Sequence, residues 1–260
     1  MKAIILAVFG TSTEAAVTFD ELVPALKANF PDRAIFVPYT SGMIRRKLNA
    51  NLPESEQILS PEAMLDKLKY DGYHDIIVLT TLLFAGVEHD KLKLTVDSFA
   101  EANPNIRLRY QPPLLADAEK LPMVVEMLAK YMLTDGINIV VAHGTSAKHP
   151  AEAVYMKLAE LVAAKYPNAR VASIEGEPDM EAALDFAKAQ QANDVRAIVF
   201  MFVAGEHAAN DIMGENDSLF AAIRSMGKRP SVAYNGERVA SLGLDADYRK
   251  LLLDWYNELS

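Results

Sequence analysis

The chain has 260 residues, 51% apolar and 23% charged, a balance that suits one large or two modest buried cores. Its net charge of −9 excludes a global basic field for nucleic acid or an anionic membrane, so an acidic ligand would need a local cluster of donors. With no cysteine, disulfides, thiolate zinc sites and cysteine-held iron–sulfur clusters are excluded, and any metal site must draw on Asp, Glu and the 5 His.

In chain order, residues 4–9 read as a strand that runs directly into Gly10-Thr11-Ser12, without the longer apolar region and cleavage site of an export signal. A helix over 19–29 and a strand over 34–37 follow, then the basic run Arg45-Arg46-Lys47. The pattern continues with a helix at 61–71, a strand at 76–83, a helix at 91–102 and a strand at 106–110. A helix over 121–133 leads to the polar turn Thr134-Asp135-Gly136. Beyond it come strands at 137–142, 171–174, 197–203 and 231–234, with helices at 151–165, 180–191 and 248–259. Apolar strands alternating with helices predict parallel sheets covered on both faces, an α/β fold. The longest apolar stretch, 76–87, is too short to span a bilayer and contains Thr80 and Thr81, so a cytoplasmic protein is expected.

The chain repeats itself. Ala7-Val8-Phe9-Gly10-Thr11-Ser12 matches Val141-Ala142-His143-Gly144-Thr145-Ser146, and Phe30-Pro31-Asp32-Arg33 matches Tyr166-Pro167-Asn168-Ala169. Further on, Phe84-Ala85-Gly86-Val87-Glu88-His89 matches Val203-Ala204-Gly205-Glu206-His207, and Arg109-Tyr110-Gln111 matches Ala233-Tyr234-Asn235. Matches in one order predict two similar halves, 1–134 and 135–260, each a parallel four-stranded sheet flanked by helices, with a cleft between them.

In open parallel sheets, ligands bind beyond the carboxyl ends of the strands. The repeat places His143, Glu175 and His207 at three such ends of the second half, where the first half has Phe9, Pro38 and the Glu88-His89 pair. Two imidazoles and a carboxylate with open positions suit Co(II), Fe(II), Ni(II) or Zn(II). A His followed by Gly at a strand end is commonly a turn residue. Three ligand-type residues at equivalent ends of one half favour a site instead. His74 reads as a surface residue, and His149, before Pro150, as a capping or solvent residue; Glu88 is preferred over His89 as a functional group.

Two segments suit anions. Thr11-Ser12 and Thr145-Ser146 offer hydroxyls and backbone N–H groups where helices begin, although simple capping explains much of that pattern. The segment from Tyr39 through Ser41 to Arg45, Arg46 and Lys47 places three consecutive cations beyond a strand end, suited to carboxylates. No G-x-S-x-G elbow, phosphate loop or H-E-x-x-H is present, and the acidic run at 214–217 lacks the spacing of a calcium loop.

These residues also resemble the anaerobic cobalt chelatases of cobalamin biosynthesis, the sirohydrochlorin cobaltochelatases, within the class II chelatases that include ferrochelatase. The matching stretches are Phe9-Gly10-Thr11-Ser12, Tyr39-Thr40-Ser41-Gly42-Met43-Ile44 with Arg46-Lys47-Leu48, His143-Gly144, Glu175 with Pro178, and Val203-Ala204-Gly205-Glu206-His207-Ala208 with Asn210-Asp211. The resemblance implies a metal held by His143, Glu175 and His207, with Glu88 as an acidic cleft residue. It implies Co(II) insertion into sirohydrochlorin or precorrin-2, with Fe(II), Ni(II) or Zn(II) as alternative metals and no organic cofactor. His143, helped by Glu88, would accept the pyrrole protons, since the unperturbed imidazole pKa of about 6.5 lies near working pH. Thr11, Ser12, Ser41, Arg45, Arg46 and Lys47 would meet the substrate's carboxylates.

The chain departs from the family at Thr80-Thr81-Leu82-Leu83, where a polar strand ends in His, and at Ala142, where Gly is usual. A non-catalytic carrier of metal or tetrapyrrole is the rival reading from another class. The expected partners are a tetrapyrrole and a divalent metal, with no nucleic acid or membrane; a homo-oligomer is compatible with the sequence.

Overall fold

The computed structural model describes residues 1–145 and 148–259, and it divides the chain into two compact units. The first comprises Met1–Leu114 with Lys250–Ser260, the second Leu115–Arg249. The division therefore precedes the turn at 134–136, and the chain's last segment belongs with the first unit.

Each unit is built on a four-stranded, all-parallel sheet. In the first, β1 (Lys2–Ala7), β2 (Ala34–Phe36), β3 (Asp75–Thr80) and β4 (Arg107–Tyr110) lie in the order β2-β1-β3-β4. Helices α1 (Val17–Asn29), α2 (Gly42–Asn49), α3 (Pro61–Tyr70) and α4 (Val87–Ala102) connect them. After α5 (Leu121–Met127), the second unit repeats the order as β6-β5-β7-β8, from β5 (Ile137–Gly144), β6 (Ala169–Glu175), β7 (Asp194–Phe200) and β8 (Arg229–Val232). Its helices are α6 (Glu152–Lys165), α7 (Met180–Ala189) and α8 (Leu219–Ser225). A hairpin of β9 (Tyr234–Asn235) and β10 (Arg238–Val239) precedes α9 (Ala246–Asn257), whose first turn lies in the second unit and whose remainder lies in the first.

The strands form where they do because both of their faces are covered. Ala3, Ile4, Ile5, Leu6 and Ala7 of β1 are wholly buried, as are Ile139, Val140, Val141 and Ala142 of β5. Burying each Ile or Val side chain contributes about 1.5–3 kcal/mol, so these runs anchor the two cores. In the first unit Ala3, Ile5 and Ala7 pack with Leu65 and Leu68 of α3 and Leu92 and Val96 of α4. In the second, Ile139 and Val141 pack with Ala183 and Ala187 of α7 and Ile223 of α8.

Both sheets reverse direction at the same place. The first strand of each unit has the second on one side and the third on the other. The connections leaving their carboxyl ends therefore depart to opposite faces, opening a crevice at the strand tips.

Candidate metal centre

In the second unit that crevice lies between β5 and β7, and two histidines stand at it. His143 is the penultimate residue of β5, and Gly144 behind it pairs in register with Glu175, the last residue of β6. Gly144 has φ +82°, and a Cβ there would come within 1.8 Å of the Glu175 carbonyl oxygen. Only glycine permits this backbone crossing, which joins the segment bearing His143 to the one bearing Glu175.

His207 comes from the other side of the crevice. The exit of β7 is fixed by backbone hydrogen bonds from Leu242 to Met201 and from Gly243 to Phe202. After Gly205 the chain enters a π-helical turn, Ala208–Ile212, in which Met213 N–H donates to the Ala208 carbonyl. Such turns are rare and recur at functional sites. Ala208 and Ile212 are buried in the core, so the preceding residue of each, His207 and Asp211, occupies the flank of the turn.

The geometry of the pair is specific. The rings of His143 and His207 meet edge to face, with centroids 4.7 Å apart and planes at 88°. His143 Nδ1 lies 3.2 Å from the Gly144 carbonyl oxygen, and His207 Nδ1 lies 2.7 Å from Asp211 Oδ2. With Nδ1–H donating in both, each ring keeps a lone pair on Nε2, the form in which imidazole binds a metal or accepts a proton.

Glu175 is exposed at the tip of β6. Among the described residues no three His, Asp or Glu side chains form a group ready to hold a metal ion. The two imidazoles are thus together, whereas the Glu175 carboxylate is not gathered with them into a closed set. Beneath the strand tips lies Tyr155 of α6, 6% exposed. Burial pushes its phenol well above the ordinary range, a hydrogen bond from the Gly144 backbone opposes this, and the charge of Glu175 adds to the rise.

The remaining sequence candidates fall in the first unit. Glu88 and His89 occupy the first turn of α4, with Glu88 bound to Lys91 at 2.7 Å and His89 to Asp90 at 3.1 Å. The His89 ring lies 6.0 Å from that of Tyr110, whose hydroxyl is buried and has no hydrogen-bond partner. Ser41 accepts from the Ile44 N–H and caps α2. That helix carries Arg45, half-buried with its Nε lacking a partner, and Arg46 and Lys47, both exposed. Thr11 is 3% exposed; its Oγ1 accepts from the Thr13 N–H and lies 2.9 Å from Thr13 Oγ1, while Ser12 is half-buried beside it. Ser146 lies outside the described residues.

Of the other histidines, His149 accepts from the Ala151 N–H at 3.1 Å, a capping contact. His74 sits on the surface, 2.8 Å from the N-terminal amine. Thr80 donates to the Ala7 carbonyl and closes the tip of β3.

Two residues at this centre escape a reading of the sequence. Asp211 could have been found from its spacing, since a residue four positions after His207 shares its face if the segment is helical. Tyr155 gave no signal, because it occupies an apolar position of α6 and reads as core.

Comparison with known proteins agrees with this architecture. The cobalt chelatase (CbiK) family model matches residues 2–258. The sirohydrochlorin cobaltochelatase of Salmonella typhimurium is 30% identical over 220 residues, spanning 83% of this chain and 81% of that protein. The sirohydrochlorin cobaltochelatase CbiKC of Nitratidesulfovibrio vulgaris is 25% identical over 221 residues, 82% of this chain and 76% of that protein. The solved structure of SirB from Bacillus subtilis with Fe3+ superimposes with a TM-score of 0.64 at 12% identity, covering 99% of this chain and 94% of SirB. That of CbiX, described as the terminal enzyme of sirohaem biosynthesis in denitrifying bacteria, superimposes at 0.55 with 14% identity and covers 99% of both chains. The two structures share the fold; the family match covers nearly the whole sequence, and the chain belongs to the cobalt chelatase (CbiK) family.

Proposed function

We propose that the protein inserts Co(II) into sirohydrochlorin, with the metal delivered from His143, Glu175 and His207. The observation that carries this reading is the perpendicular His143–His207 pair at the strand crevice of a cobalt-chelatase chain. Two neutral imidazoles bind a borderline divalent ion firmly enough to capture it and leave positions open for ring nitrogens. Glu175 would complete the set by rotation of its exposed side chain, offsetting the metal's charge.

Insertion also requires the loss of two pyrrole protons. His143 accepts one through its free Nε2 as the metal leaves it, and solvent takes the other. Arg45, Arg46 and Lys47 on α2, with Thr11, Ser12 and Ser41, serve the carboxylates of the macrocycle.

One assay tests this: purified protein with sirohydrochlorin and Co(II), Fe(II) or Ni(II), followed by the change in tetrapyrrole absorption. Turnover beyond one equivalent, fastest with Co(II), is expected, and His207→Ala or His143→Ala should lower kcat/KM at least ~100-fold, since losing a ligand should cost no less than the ~10–100-fold that losing a ligand's outer-shell partner costs. A His207→Ala protein that inserts cobalt at the full rate would sink the assignment. Binding that stops at one equivalent would identify a carrier.

A further inference from the structure

The hydrogen bond between Asp211 and His207 has a directional consequence. The Asp211 carboxylate accepts at Oδ2 from His207 Nδ1 at 2.7 Å, short enough for a charge-assisted bond. A carboxylate has no proton to give, so it selects the ring tautomer with hydrogen on Nδ1 and the lone pair on Nε2. We propose that Asp211 is a positioning residue of the metal centre, fixing the tautomer and orientation of His207 so that Nε2 faces the metal. This rests on the reading of His207 as a metal ligand.

Three features support it. The bond forms within the π-helical turn, whose buried Ala208 and Ile212 hold the backbone of both partners. The other histidine uses a backbone carbonyl, Gly144, for the corresponding contact, so each ring has an acceptor at Nδ1. Asp211 also lines a cavity of about 540 Å³ in the second unit, bounded by Ser173 of β6, Leu184 of α7 and Ala222 of α8. With a side chain 45% exposed, the carboxylate is hydrated rather than buried, so substituting it leaves no orphaned charge in the core. Partners of this kind raise ligand basicity, and their loss typically costs about 10–100-fold in metal affinity.

The test is a Co(II) titration of the whole protein without tetrapyrrole, following the visible d–d bands, for wild type, H207A, D211A and D211N. The carboxamide of the D211N variant can still present an oxygen to Nδ1–H, so that variant should stay within a few-fold of wild-type affinity and keep the band positions. D211A should bind about 10–100-fold more weakly with displaced bands. D211A matching wild type in affinity and bands, while H207A is weakened, would overturn the role of Asp211 and leave the site intact. Equal weakening in D211A and D211N would also overturn the tautomer assignment. If H207A itself binds Co(II) unchanged, the site reading fails, and the inference fails with it.

Discussion

Asp75 shows how a single residue couples the first sheet to pH. Its carboxylate, 14% exposed, takes a forked pair of bonds from Arg33 at 3.0 and 3.1 Å and another from Arg109 at 2.9 Å. Burial alone would raise its pKa, but the two guanidinium groups outweigh burial and hold it at about 2, against 3.8 when free. A depressed carboxylate stabilises the fold fully above its free pKa and loses that contribution as pH falls through the folded value. Urea denaturation should therefore show about 2 kcal/mol of stability disappearing between roughly pH 4 and pH 2. Asp75→Asn should flatten that acid limb and lower neutral-pH stability by about 3 kcal/mol, because it strands the buried Arg33. At the candidate metal centre, Gly144→Ala would place a methyl group on the Glu175 carbonyl at φ +82°. Backbone strain of about 1–3 kcal/mol is expected, with loss of Co(II) binding because the segments bearing His143 and Glu175 must separate. Wild-type-like Co(II) affinity in that variant would show that the crossing does not hold the site.

Strands end where backbone pairing, not apolarity, stops. The apolar runs 76–83 and 197–203 suggest strands to their last residue, yet β3 ends at Thr80 and β7 at Phe200. Met201 and Phe202 remain buried, 8% and 7% exposed, but they accept bonds from the segment at 242–243 instead of continuing the ladder. Helix α4 begins at Val87, not at Lys91, which puts Glu88 and His89 in its first turn rather than in a loop. Helix α2 goes unread in the sequence because its 8 residues span little more than two turns, too short for a helical period to stand out; Ser41 starts it by capping. Removing that cap with Ser41→Ala should cost about 1 kcal/mol by thermal or urea denaturation. No helix in the described residues is long and apolar enough to cross a membrane.

For the whole molecule, the repeated strand order β2-β1-β3-β4 and β6-β5-β7-β8 bears out the expectation of two similar α/β halves. The last helix breaks the repeat. Although the turn at 134–136 suggests a clean division, Lys250–Ser260 groups with the first unit. There Tyr256, wholly buried, donates to the Thr80 carbonyl at 2.6 Å, Trp255 Nε1 donates to Pro112, and Arg109 donates to Leu259. Its start is set in the second unit, where buried Asp245 accepts from the Asp247 and Tyr248 N–H groups and from Tyr131. Deleting 250–260 should lower hydrogen-exchange protection in the first sheet far more than in the second; equal protection in both would refute the grouping.

The sequence by itself determined the class of fold, the repeat and the three candidate ligands, because these are written in local signals: apolar runs of strand length, helical spacing between them, and His or Glu just past a strand. It also contained the family, since its motifs are spread along the chain. Tertiary structure alone decided what converges. It set His143 and His207 edge to face across the crevice, left the carboxylate of Glu175 at an exposed tip, and gave His207 a partner in Asp211. The physical reason is that strand ends are positioned by pairing between segments distant in the chain. Side-chain contacts there depend on a π-helical turn and a glycine crossing that no periodicity announces.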